Sequence, residues 1–172
     1  MARKIVAGNW KMNKTLNEGL ELVKELKNEL SKVNVNDVTV VVSPPYVNLS
    51  EAVKTAKGSS VQISAQNVHQ EESGAFTGEI SAQMLQSLGV GYVIIGHSER
   101  REYFGENAKD IAKKVDAVIA QGLTPIYCCG EVKQERESGN QNQIVSMQIK
   151  SELYHLSPED FRKVVIAYEP VW

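Results

Sequence analysis

Cysteine is scarce in this chain: its 172 residues include two, Cys128 and Cys129, and they are adjacent. Neighbouring cysteines have poor geometry for a bridge and are useless as a metal clip, so disulfide-stapled scaffolds and zinc modules drop out. Long apolar runs are missing too. No window approaches ~18 uninterrupted apolar residues, and the opening Met-Ala-Arg-Lys-Ile-Val-Ala has no leader-like core. Neither sign of charge dominates: 19 Lys and Arg stand against 21 Asp and Glu, a net charge of −2. That balance leaves no electrostatic footprint for nucleic acid or an anionic membrane. Low-complexity tracts and linkers are absent as well. What remains is 42% hydrophobic and 23% charged, which excludes disordered and collagen-like classes. The length suits one domain, and the expectation is a reduced, cytoplasmic, globular protein.

Short β-branched runs alternate with longer stretches of helical period. The runs at 5–8, 38–42, 61–65, 92–95, 125–128 and 164–168 predict six strands, several apolar almost throughout, as in a parallel sheet covered on both faces. Between them Leu16, Leu20, Val23, Leu26 and Leu30 recur every three to four residues. Further helices are expected over about 49–57, 81–88, 107–121 and 144–153, and Ser157-Pro158-Glu159 reads as a helix start. Gly58, Gly89 and Gly122 each follow a helix and precede a strand, where a left-handed residue ends a helix well. Six βα-type units therefore predict a parallel α/β fold. Periodicity does not separate an open doubly wound sheet from a closed barrel. Gly8-Asn9-Trp10-Lys11 follows the first strand where a dinucleotide fold would place Gly-x-Gly-x-x-Gly, which points toward a barrel.

Parallel α/β proteins carry their chemistry where strands end. Lys11, after the first strand, is a point charge for an anionic substrate or a side chain whose stem snorkels over apolar neighbours. His97 stands at the tip of the fourth strand in Gly96-His97-Ser98-Glu99-Arg100-Arg101. Ser98 is a candidate cap for a short helix there, and a neutral imidazole can donate a hydrogen bond to a carbonyl at pH 7. A satisfied structural His is the other reading. Glu169, delivered by the sixth strand and stopped by Pro170, would be held stiffly at the mouth; partial burial would suit it as a general base, and a plain strand-capping role is the alternative. Cys128 is expected to pack as a small apolar residue, since no His partner lies near it in sequence. Phe76, in Gly74-Ala75-Phe76-Thr77-Gly78-Glu79, is either an interface finger or a local anchor. Together a Lys, a His and a Glu at three strand ends could converge as charge clamp, electrophile and base. No metal-ligand spacing, P-loop or Ser-His-Asp arrangement competes with them.

Four stretches resemble one family in its order and spacing: Ala7-Gly8-Asn9-Trp10-Lys11-Met12-Asn13, Gly74-Ala75-Phe76-Thr77-Gly78-Glu79-Ile80-Ser81, Ile95-Gly96-His97-Ser98-Glu99-Arg100-Arg101 and Ala167-Tyr168-Glu169-Pro170-Val171-Trp172. The resemblance is to the triosephosphate isomerases and runs the length of the chain. It implies a TIM (β/α)₈ barrel, here about six βα units forming one domain over 1–172. It also implies a cofactor-free, metal-free aldose–ketose isomerisation of dihydroxyacetone phosphate and glyceraldehyde 3-phosphate through an enediolate, in glycolysis and gluconeogenesis. The resemblance further implies a Glu base paired with a neutral His. Carried over motif by motif, Glu169 would move the proton between carbons, His97 would polarise the carbonyl, and Lys11 with Asn9 would bind substrate and stabilise negative charge. Glu99 and Ser98 would support them from behind, with Glu99 near Lys11, and Cys128 would pack beside the base. Thr77, Phe76 and Gly78 would belong to a homodimer interface.

The family continues past position 172 with a lid and two further strands that hold the substrate phosphate. As 172 residues, the chain is expected to leave its first and last strands as bare edges. The alternative reading is therefore a catalytically inactive barrel fragment that self-associates or needs those strands. Another phosphosugar isomerase on the same barrel is set aside by the motifs at 8–13 and 96–101.

Overall fold

The computed structural model describes residues 4–172; Met1, Ala2 and Arg3, part of the opening read above for a leader, lie outside the described residues. In chain order the elements are β1 (Lys4–Asn9), α1 (Leu16–Leu30), β2 (Val38–Ser43), α2 (Tyr46–Ala56), β3 (Val61–Ala65), α3 (Ala82–Leu88), β4 (Tyr92–Ile95), α4 (Ser98–Tyr103), α5 (Ala108–Ala120), β5 (Thr124–Cys129), α6 (Lys133–Glu137), α7 (Gln141–Leu153), α8 (Pro158–Phe161) and β6 (Val165–Tyr168). Two units divide them, residues 4–67 with Gln83–Val93, and Val68–Ala82 with Ile94–Trp172.

In the first unit β1, β2, β3 and the start of β4 run parallel, in register Val6↔Val40, Val42↔Ile63 and Ala65↔Val93. Helix α1 begins at Thr15, whose N–H and hydroxyl both donate to the Glu18 carboxylate at 2.8 Å, holding that carboxyl below its usual range. The apolar stripe of α1 meets α2, and Gly19 leaves room where the Asn48 side chain crosses it. Val23, Val41, Leu49, Ile63 and Leu85 are buried here.

In the second unit β5 and β6 pair parallel, with Cys128 beside Ala167 and Cys129 beside Tyr168. Strand order follows chain order without the reversal that defines doubly wound sheets, so the open alternative falls away. Six parallel strands alternating with helices have the architecture of a TIM barrel truncated to six βα units. β1 and β6 are the end strands; Val6 is 61% exposed and Ile166 42%, as expected for strands with one neighbour each.

The predicted elements stand with small shifts. Tyr46 rather than Leu49 opens α2, directly after Pro45. Gly58, Gly89 and Gly122 are left-handed as their positions require. Ser157 caps α8, accepting from the Asp160 N–H, with Pro158 in the first turn. Helix α6 adds to the expected elements; its five polar residues carry no apolar period to announce it. Among the described residues, no helix is long and apolar enough to cross a membrane.

Candidate active site

The second unit contains a cavity of about 480 Å³ at the ends of β4, β5 and β6, lined by His97, Ser98, Arg101, Cys128, Gly130, Gln148 and Glu169 among others. It lies where the strands hand over to their loops, the position at which parallel α/β folds carry their chemistry.

His97 arrives there because Gly96 turns the chain sharply after β4 with φ +69°. The imidazole is buried, and its own Nδ1 accepts the Glu99 N–H at 3.2 Å. His97 is therefore the cap of α4, which corrects the expectation that Ser98 would cap it. The reason is local: Ser98 already has helical geometry, while His97 is extended at ψ 141° and its ring reaches the orphan N–H two residues on. An Nδ1 that accepts leaves the ring hydrogen on Nε2, the atom free to donate. Glu99 places a carboxylate oxygen 3.6 Å from the same Nδ1. Ser98 is half-buried against the cavity.

Glu169 follows β6. Its N–H donates to the Cys129 carbonyl at 2.9 Å, and the Val171 N–H donates to the Glu131 carbonyl at 3.0 Å, extending the β5–β6 pairing beyond the strands. The Glu169 side chain lines the cavity but is exposed, so the partial burial expected from its sequence setting is corrected. Its strand, β6, stands last in the sheet with β5 as its neighbour. Cys128 lines the same cavity, and burial pushes its thiol up to about 12, offset in part by Arg101. A thiol so disposed stays protonated at neutral pH and packs rather than attacks.

Several residues that sequence reasoning missed hold this site. Gln148 clasps Gly130 at both ends of the residue, accepting its N–H at 3.0 Å and donating to its carbonyl at 3.1 Å. Glu131 is fully buried, accepts the single Tyr168 O–H between its two oxygens (3.1 and 2.9 Å), and lies 3.7 Å from Arg136. That carboxylate, with burial, raises the Tyr168 hydroxyl above its ordinary value. Arg101 pairs through both terminal nitrogens with Glu152, at 2.7 and 2.8 Å. One signal was available: Gln148 and Glu152 fall at spacings of four from Ile144, polar residues on a stripe that should face the core.

Asn9 and Lys11 belong to the first unit. Lys11 is left-handed at φ 53°, unusual for a residue with a side chain; its N–H donates to Asn9 Oδ1 (3.0 Å) and its carbonyl accepts from Gln66 (2.8 Å). Gln66 also reaches the Ser43 carbonyl at 2.8 Å, tying the loop after β1 to the end of β2. Such over-determined backbone strain gathers at functional sites. In the second unit Thr77 and Gly78 are exposed, and Phe76 is 43% exposed with its ring 4.4 Å from His69. Phe76 is thus anchored locally while still presenting an apolar face. Among the described residues, no group of three or more His, Cys, Asp and Glu side chains could hold a metal ion.

Six parallel βα units with a cavity at the strand ends place the chain in the barrel class of α/β proteins. The family model for triosephosphate isomerase matches residues 4–172. Proteins named triosephosphate isomerase from Cytophaga hutchinsonii, Clostridium acetobutylicum and Bacteroides fragilis are 57%, 52% and 48% identical; each match covers all of this chain and 68% of the relative. The chain belongs to the triosephosphate isomerase family.

Proposed function

We propose that this chain interconverts dihydroxyacetone phosphate and D-glyceraldehyde 3-phosphate, the reaction its family name describes. The observation that carries the site assignment is that His97 and Glu169, 72 positions apart in sequence, line one cavity. Glu169 is the base: a carboxylate that lines the same cavity as His97 can take a carbon-bound hydrogen beside a carbonyl and return it to the neighbouring carbon. His97 offers Nε2–H to the substrate oxygen and so stabilises charge as the enediolate forms; a donor already held by its Nδ1 bond needs no reorganisation. Lys11 supplies fixed positive charge for the phosphosugar, and Asn9, whose side chain holds the Lys11 backbone, lines the oxyanion region. Glu99 orients His97, with Ser98 behind the site and Cys128 packed beside the base. No cofactor enters the reaction.

On this reading positions 1–172 form one barrel domain, and the enzyme acts as a homodimer through Thr77, Phe76 and Gly78, in the cytoplasm, in glycolysis and gluconeogenesis. Neither the fold nor the comparisons favour the alternative of an inactive fragment. The test is a coupled isomerase assay with Glu169→Asp and His97→Gln in the chain at its full encoded length. Drawing the carboxylate back by one methylene should lower kcat by at least about 100-fold with little change in stability. Turnover within about tenfold of the parent for both variants would refute the assignment.

A further inference from the structure

Arg101 is more deeply committed than a residue of a short, half-exposed helix needs to be. Its Nε donates to the Gly96 carbonyl at 2.7 Å, and its Nη2 donates to the Cys128 carbonyl at 2.9 Å. Both terminal nitrogens also meet Glu152, a carboxylate 2% exposed on α7, and the Tyr127 hydroxyl donates to that carboxylate at 2.6 Å. Gly96 suits this arrangement twice over: it takes φ +69°, and a Cβ there would stand 2.8 Å from Arg101 Nη2. The guanidinium crosses the residue that precedes His97.

We propose that the Arg101–Glu152 pair is a positioning device for the isomerase reaction, setting the relative placement of His97 and Glu169 through the two backbone carbonyls that Arg101 grips. This rests on the site reading above. On the His97 side the pinning is complete. The Gly96 carbonyl is held by Arg101 Nε, and the His97 carbonyl accepts the N–H groups of Arg100 (2.9 Å) and Arg101 (3.2 Å). On the Glu169 side the route is one residue longer: Arg101 fixes the Cys128 carbonyl, and the next carbonyl, of Cys129, takes the Glu169 N–H. One rigid fork thus spans the ends of β4 and β5, and β6 follows β5. Glu152 keeps that fork in a single orientation, because both its oxygens are occupied by Arg101 and one by Tyr127 as well. A lysine could balance the charge of Glu152 but not bond two carbonyls and a carboxylate in fixed directions.

A buried ion pair that served stability alone would give a different pattern from one that sets geometry. The experiment compares Arg101→Lys and Glu152→Gln with the parent at full encoded length, measuring kcat, KM and urea unfolding, and affinity for a phosphorylated hydroxamate that mimics the enediolate. His97→Gln is run alongside. The expected result for Arg101→Lys is a folded protein with kcat lowered at least about tenfold, KM for glyceraldehyde 3-phosphate within about threefold, and hydroxamate affinity falling in parallel with kcat/KM. Glu152→Gln should show the same split, since its amide puts a donor against a donor of Arg101. A folded Arg101→Lys with kcat within about twofold of the parent, or with a raised KM alone, overturns the proposal, provided His97→Gln has lost turnover. If neither variant folds, the pair is structural and the proposal also falls. Should His97→Gln itself retain activity, it is the site reading that fails.

Discussion

Gly130 offers a sharp perturbation, because a single methyl group added there acts directly on the backbone of the proposed base. A Cβ at this position would stand 2.8 Å from the Glu169 carbonyl carbon and closer still to its oxygen. Ordinary carbon–carbon contact begins near ~3.5 Å, so the Glu169 peptide has to retreat by roughly 1 Å. It cannot do so freely. Its N–H is bonded to the Cys129 carbonyl, Val171 is bonded to the Glu131 carbonyl, and Gln148 holds both polar groups of residue 130. Overpacking of this kind costs about 1–3 kcal/mol in stability. A displacement near 1 Å of a catalytic group costs about 100-fold in turnover, which corresponds to about 2.7 kcal/mol of barrier. Gly130→Ala should therefore fold, unfold at lower urea, and show kcat reduced about 100-fold with a smaller change in KM. The coupled isomerase assay and a urea titration read both quantities. A variant with kcat within about threefold of the parent would mean that the Glu169 backbone is not held where these contacts place it.

Other outcomes follow from the same geometry. Lys11→Met removes the fixed cation and should raise KM for the phosphosugar; unchanged apparent affinity would show that Lys11 had been misassigned. Cys128, with its thiol pushed up to about 12 by burial, should be alkylated at pH 8 roughly a thousandfold more slowly than in the urea-unfolded chain, and labelling within about tenfold of that rate would contradict the packing reading. At Glu106 burial works to raise the carboxyl, but hydrogen bonds from Lys114 and Arg100 outweigh it and hold the group below its usual value. A carboxyl lowered on folding stabilises the protein above its unfolded pKa, near ~4.3, and that contribution is lost as pH falls through the lower folded value. Glu106→Gln should accordingly cost about 3 kcal/mol at pH 7 in urea unfolding and flatten the loss of stability below about pH 5; an acid limb as steep as the parent's would refute it.

Local pattern reached a long way in this chain. Each of the six strands announced itself as a short β-branched run, and α1 and α5 as stripes of period 3.6, because burying one face of an element constrains residues two, three or four positions apart. The glycines that end α2, α3 and α5 were legible for a similar reason, since few other residues reverse a helix there. Position at a strand end was enough to single out Lys11, His97 and Glu169. The cap of α4 is not fixed by local sequence, because two adjacent residues can both supply an acceptor, and backbone direction selects His97 over Ser98.

What the amino-acid order determined by itself is thus the alternation of strand and helix, the parallel sense of the sheet, and which polar side chains fall at the strand ends. Tertiary structure alone decided that Arg101 meets Glu152 across 51 positions, that Tyr168 meets Glu131 across 37, and that Gln148 closes on Gly130. Hydrophobic burial acts through a repeat that every turn of helix or pleat of strand restates. A buried charge pair has no such repeat: its partners are chosen by where distant elements come to rest, and only the packed chain brings them within 3 Å.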